Sequence, residues 1–531
     1  METNQLVSTG VSTVTNDDTD SVSKRVMSIP EIRMHVFSFL PLDSIKTCRL
    51  ICHEWDSTAG PLMIGMSQIR FRNYLDDPEQ ARMPDKFIEE FEAGSLLEQC
   101  DKFCFNSPEN WIEYDDMLDF IDQFGEKMKE LTIFATYIRN GLYPLSKDDL
   151  IKLIPSQLTK LEVVTDRVKT KLVIPMDGLS NIKTLRLSGC FLNIIDGAVC
   201  APVELRLKNV FFLRNGEDIE ETVRLNDLFD FCNLRDLHLD CQKTENVQLD
   251  LSDGDLTLRT LYLNRIEIMN WELSTWTVGK LALCKKTTII MATGMKYEEL
   301  DFDGYYLDVS LLPTTLKSLT IRRASAKLLL VEDAQNLVDL KYLILHRKRF
   351  SLLTAFQNCP NLTHLHLYPL DSGDFKLVAI DVKLIPKTVK VLRLSHNCEL
   401  LGKMDFELDT VIIEHLPFSE AYDILLENLS VRNALIYCSE FDFGTDDGAG
   451  IDKVLEVIEL QRFIVGPFFQ SDKERYAFLY DPYIEQSDAK ADFLIKTGQD
   501  SAVIRKEFFK AEFDRLDNAW WTKDNISFSD I

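Results

Sequence analysis

The chain has 531 residues, 45% of them hydrophobic and 27% charged, enough to bury a large core and too long for one small domain. Acids outnumber bases by 85 to 59, a formal charge of -26, which argues against a protein that wraps nucleic acid or lies on an anionic membrane. No run of about 18 apolar residues occurs and the N-terminus lacks the basic-then-apolar order of an export signal, so a cytoplasmic or nuclear protein without a membrane span is expected.

Residues 1–24 are rich in Ser, Thr, Asn and Asp, a composition that cannot offset the entropy of ordering, and are expected to form a disordered tail. The chain changes character at residues 25–64. Pro30 suits a helix start, and Ile32, Val36 and Phe39/Leu40 repeat at helical spacing as one apolar stripe. Pro41 stops that helix, and Asp43 is placed to cap a second one carrying Ile45, Cys48, Cys52 and Trp55. So short a segment cannot bury both faces by itself, which leaves apolar surface for a partner.

The segment resembles the F-box: Ile29-Pro30-Glu31, then Phe39-Leu40-Pro41, then Leu50-Ile51-Cys52-His53-Glu54-Trp55 follow that family's order. Ile29 replaces the usual Leu, and His53-Glu54 the usual basic pair. The resemblance implies binding of a Skp-type adaptor, and through it a cullin, by Ile29, Pro30, Ile32, Val36, Phe37, Leu40, Pro41, Ile45, Leu50, Cys52 and Trp55. Residues 65–127, with Phe87, Phe91, Leu96/Leu97, Trp111, Tyr114 and Leu118 at helical intervals, are expected to form a helical neck.

From 128 to 462 the pattern apolar-x-x-apolar-x-apolar recurs, centred on Leu131, Leu161, Leu185, Leu205, Leu237, Leu261, Leu281, Leu300, Leu319, Leu343, Leu365, Leu392, Val411, Leu435 and Ile458. The spacing averages about 23 residues, inside the range of leucine-rich repeats, which these copies resemble. The expected fold class is therefore α/β: a helical F-box followed by a curved leucine-rich-repeat solenoid of about 15 repeats, with parallel strands on its concave face. LIPSQL, LLPTTL and LIPKTV each place a proline before a strand, whereas NDLFDFCNL and LLTAFQNCPNL look like helical convex segments. Residues 463–531 are expected to cap the array, with Ile504, Phe508, Phe509, Phe513, Leu516 and Trp520 on one face of an amphipathic helix.

In each repeat, the residues one before, one after and three after the centre face the cavity. That rule groups Arg186, Arg206 and Lys208; then Asp236, His238 and Asp240; then Glu299, Asp301 and Asp303. The sign then reverses, with Arg322, Tyr342, His346, His364, His366, Tyr368 and Arg393 on neighbouring strands. Guanidinium forks beside rings suit an acidic or phosphorylated protein target, while an ordinary solvated face with mutually neutralising patches is the simpler alternative.

No chemistry of the chain's own is expected. P-loop, H-E-x-x-H, G-x-S-x-G and dinucleotide patterns are missing, and Asp442-Phe443-Gly444 lacks the rest of a kinase's motifs. The twelve cysteines include no C-x-x-C, so neither a metal nor another cofactor is expected. The resemblance implies a non-catalytic substrate receptor of a Skp/cullin/F-box ubiquitin ligase that holds its target for ubiquitination and degradation. The alternatives are an F-box structural subunit of a non-degradative assembly, as in fungal centromere-binding complexes, or a leucine-rich scaffold with no ligase role.

Overall fold

The computed structural model describes residues 27–40, 42–72, 100–107, 120–135, 154–165, 173–219, 221–241, 247–252, 254–270, 273–284, 295–303, 307, 312–322, 334–346, 353–368, 378–395, 398–416, 424, 429–438, 462–467, 493–497 and 500–504. The chain divides into two units, Met1–Glu220 with Asp227–Asp230, and Glu221–Asn226 with Phe231–Ile531.

The first unit opens with helices α1 (Pro30–Phe37), α2 (Leu42–Cys48) and α3 (His53–Met66). The second expected helix is shorter than its apolar spacing suggested. It ends at Cys48, and Cys52 and Trp55 belong to the turn and the start of α3.

Parallel strands follow: β1 (Ile69–Arg72), β2 (Lys102–Ser107), β3 (Glu130–Ala135), β4 (Lys160–Thr165), β5 (Thr184–Ser188) and β6 (Glu204–Lys208), each paired with the next. The stack thus starts inside the expected helical neck, where Phe103 and Phe105 are core residues packed on Phe120. Strand geometry sends Phe103 and Phe105 to one face of β2. Phe87, Phe91, Leu96, Leu97, Trp111, Tyr114 and Leu118 lie outside the described residues.

The second unit continues in the same style with β7 (Asp236–Asp240), β8 (Thr257–Asn264), β9 (Thr277–Cys284), β10 (Lys296–Asp303), β11 (Ser318–Ile321), β12 (Tyr342–His346), β13 (His364–Tyr368), β14 (Val391–Ser395), β15 (Leu408–Leu416), β16 (Val431–Cys438) and β17 (Arg462–Pro467). Each pairs in parallel with the next, with a register shift between Glu414 and Leu416 where β15 meets β16. Leu237, Leu261, Leu281, Leu300, Leu319, Leu343, Leu365, Leu392 and Val411 form one buried row through them.

That row departs from the sequence pattern at its end. Val411 pairs with Ala434, which pairs with Phe463, so Leu435 stands one place out of phase, level with Ile412. A leucine at the expected spacing is outvoted because a one-residue slip would turn the whole of β16 over. Ile458 lies outside the described residues.

Each unit is a β-solenoid of mostly parallel strands with few helices. Its back carries short strands: Val173–Pro175, Phe191–Ile194 and Phe211–Arg214 in the first unit, Val223–Arg224, Val247–Asp250 and Glu267–Met269 in the second. NDLFDFCNL supplies only part of a 3-10 turn, and LLTAFQNCPNL one helical turn, Leu353–Phe356.

The three proline lead-ins fold alike. In each, an amide donates back to the proline carbonyl (Leu158 to Pro155, Leu316 to Pro313, Val389 to Pro386), and the donor's side chain is fully buried. Proline's fixed φ presets the turn that drops this residue into the core. After Pro467 the chain returns as β18 (Phe493–Thr497), antiparallel to β17, and then β19 (Asp500–Ile504), antiparallel to β18. Ile504, assigned above to a helix face, closes β19; Phe508 to Trp520 lie outside the described residues.

Candidate functional site

Two surfaces contain the residues singled out from the sequence. The first is on the helices. Ile29 has extended backbone, as a residue before proline must, and Pro30 begins α1. Arg33 and Phe37, four apart, then face inward. Phe37 meets Trp55 edge-on, with ring centroids 5.0 Å apart, and joins Ile45, Cys48 and Ala59 in a small core flanked by Met27, Leu40, Trp55, Leu62 and Met63.

Arg33 ties α1 to α3: its Nε donates to Thr58 Oγ1 at 2.7 Å, and its Nη1 lies 3.5 Å from a Glu54 carboxylate oxygen. Arg49 Nε donates to Asp56 Oδ1 at 2.6 Å across the turn before α3. These ties orient a hairpin that a four-residue core would hold loosely.

Phe37 and Ile45 are therefore corrected from the expected adaptor-contacting set. They are buried in the core of the hairpin. Leu40 and Trp55 pack against the same core. Ile29, Pro30, Ile32, Val36, Leu50 and Cys52 are exposed, and so are Phe39 and Ile51, which the set omitted. Phe39 is 74% and Leu50 86% exposed, so the apolar stripe of α1 and the turn after α2 face outward. Pro41 lies outside the described residues.

The second surface is the open face of the second unit's strands. Alternation buries one residue and presents the next, as in the burial of Tyr342 to His346, where Leu343 and Leu345 are inside. Pairing sets residues of β12 and β13 opposite one another: Tyr342 opposite His364, Ile344 opposite His366, and His346 opposite Tyr368. The Tyr342 and His364 rings lie 4.5 Å apart at 33°. Thr363 Oγ1 is 2.8 Å from His364 Nδ1, and burial depresses the imidazole to about 4, so the ring is neutral at pH 7.

The arginines expected beside these rings are already engaged. Arg322 closes a two-bond fork on Asp301, with Nε to Oδ1 at 2.7 Å and Nη2 to Oδ2 at 2.8 Å. Burial works against its charge, but the hydrogen bonds and charge of Asp301 outweigh it and raise its pKa. Arg393 makes the same fork on Glu414, at 3.1 and 2.7 Å, and only 4% of it is exposed. The forks that were to receive an acidic target hold carboxylates of this chain instead.

The same pairing recurs along both stacks. In the first unit Glu204 takes both Arg186 and Arg206 at 2.8 Å, and Glu130 takes both Lys102 and Lys160 at 3.2 Å. Arg259 forks onto Asp236 at 3.0 and 2.8 Å. His238 stacks on Tyr262 at 4.0 Å and 10°, and the Tyr262 hydroxyl donates to the Cys284 side chain.

Sequence reading grouped like charges along each strand. What it missed was the diagonal: Arg322, three after its centre, reaches Asp301, one after its own, and Arg393 reaches Glu414 in the reverse sense. Such neighbours lie about 7–8 Å apart at the backbone, within reach of an arginine. Aligning the repeats on their centres would have revealed this.

Among the described residues no cluster of three or more His, Cys, Asp or Glu is placed to hold a metal ion, and no helix is long and apolar enough to cross a membrane. No protein-family model matches the chain, and no curated protein matches it in sequence.

Proposed function

We propose that the chain is a substrate receptor of a Skp/cullin/F-box ubiquitin ligase, with its strands built as leucine-rich repeats. The carrying observation is the outward apolar row, Ile29, Ile32, Val36, Phe39, Leu50 and Ile51, on a hairpin whose own small core is complete without it. Exposed large apolar side chains grouped in this way mark a protein-binding surface. In this reading a Skp-type adaptor covers the row and the open strand face holds a protein target. The chain itself performs no covalent chemistry; its contribution is proximity, holding the target where a separate conjugating enzyme reaches it.

The test is affinity purification of the full chain beside a Phe39→Ser, Leu50→Ser double variant, in a lysate supplemented with purified Skp-type adaptor. Wild type should recover adaptor and cullin, and the variant should lose both. Wild type that recovers no adaptor overturns the reading; adaptor recovered without cullin moves it to a non-degradative assembly.

A further inference from the structure

Two short strands on the back of the first unit, Phe211–Arg214 and Glu217–Asp218, form an antiparallel hairpin, with Arg214 opposite Glu217 and Leu213 opposite Asp218. Only Asn215 and Gly216 join them. Both have positive φ, 54° and 88°, as the tightest hairpin turn requires, and both are exposed. Asparagine and glycine adopt this backbone at least cost. The turn therefore selects a dipeptide with a chemistry of its own.

In an Asn-Gly pair the glycine nitrogen is one bond away from closing a five-membered ring on the asparagine carboxamide, and glycine has no Cβ to shield that nitrogen. Apart from its two chain neighbours, no atom of the described residues lies within 4 Å of where a Gly216 Cβ would stand, so this side of the turn is open.

One contact opposes ring closure. Asn193, only 7% exposed on the neighbouring strand Phe191–Ile194, accepts a hydrogen bond from the Gly216 amide at its Oδ1, 2.9 Å away. The bond holds the proton on the Gly216 nitrogen, which must lose it to become a nucleophile. It also fixes the peptide plane between Asn215 and Gly216, whose rotation brings the nitrogen up to the carboxamide carbon. The Asn215 amide is held less closely, 3.5 Å from the Ile194 carbonyl oxygen.

We infer that Asn215 is a site of spontaneous deamidation and that Asn193 sets its rate. When the bond to Asn193 opens, water takes the Gly216 amide proton and the nitrogen attacks the Asn215 side-chain carbonyl carbon. A new C–N bond closes a succinimide ring, the carboxamide C–N bond breaks, and its nitrogen leaves as ammonia with a proton returned from water. A second water opens the ring at either carbonyl, leaving aspartate or isoaspartate. Both products place a carboxylate beside Glu217 and Asp218, and isoaspartate adds a main-chain carbon to a turn built for two residues, so the hairpin loosens. This chemistry is independent of the helices and of the receptor reading.

The experiment incubates the full chain in mildly alkaline buffer, folded and in urea, and follows Asn215 by peptide mass spectrometry, in which replacement of the side-chain NH2 by OH marks the product. The other Asn-Gly pair, Asn140-Gly141, lies outside the described residues and is read on a separate peptide. Asn193→Leu, of similar size and without an acceptor, should speed conversion in the folded chain about fivefold, the factor that corresponds to one ordinary hydrogen bond. Asn193→Asp, which keeps an acceptor oxygen, should stay close to wild type. In urea all three should convert at one rate, faster than folded wild type. Circular dichroism checks that each variant folds, and Asn193→Ala replaces Asn193→Leu if the latter does not. A folded variant without the acceptor that converts no faster than wild type overturns the role of Asn193. Wild type that converts as fast folded as in urea, or that stays unconverted at Asn215 in urea, overturns the proposal as a whole.

Discussion

The hairpin α1–α3 and the strand face of the second unit treat their outward residues in opposite ways. On the helices, large apolar side chains point out while Arg33 is buried and paired. On the strands, apolar residues point in, and outward charges find partners on the next strand. The cause is geometric. Each strand in a stack has a neighbour on either side at about 4.8 Å, so every outward group has lateral company, whereas the outer stripe of a short helix has none. Exposed apolar side chains therefore gather on the helices, and paired charges on the strands.

The largest effect should come from opening a clamp. Arg393→Met leaves Glu414 buried beside an apolar side chain and should cost about 3–5 kcal/mol in urea unfolding, whereas Arg393→Met with Glu414→Leu should recover most of that loss. A single variant as stable as wild type would show that the pair is not clamped, and would reopen Arg393 as a contact for an acidic target.

A smaller effect should follow pH. His364 titrates near 4 in the folded chain against an ordinary value of 6.5, because burial disfavours its charge. The unfolded chain thus binds more protons between those values, so this contribution is complete above about pH 6.5 and is lost as the pH falls towards 4. Full burial would make the change about 3 kcal/mol, and the half-buried ring should show less. His364→Gln should flatten the dependence in thermal melts from pH 7 to 4.5; an unchanged slope would place the titration elsewhere.

The smallest effect should be on the helices. Phe39→Ser and Leu50→Ser, at side chains that are 74% and 86% exposed, should move stability by less than about 0.5 kcal/mol. Equilibrium unfolding checks this, and a loss above 2 kcal/mol would mean that the row is covered within the chain, erasing the contrast with the strands.

Much of this was legible from the residues. Leucine spacing placed the strand centres from Leu131 to Val411, and the three prolines placed their turns, because both act locally through alternation and fixed φ. Ile29-Pro30 and Pro41 bracketed α1 for the same reason. The strands β1 and β2 were hidden because four- and six-residue segments carry too few alternations to stand out from helical spacings.

The sequence by itself determined the repeat, the inward apolar row and a hairpin with more apolar surface than it can bury, since each follows from residue type at a fixed local period. Only the tertiary structure decided which charges are available. Arg322 and Arg393 looked open as long as each strand was read alone; the diagonal to Asp301 and Glu414 exists only once strands about 20 residues apart lie side by side. The same stacking assigned Phe37 and Ile45 to the interior and moved the core position from Leu435 to Ala434, because burial belongs to the packed set and not to any one residue.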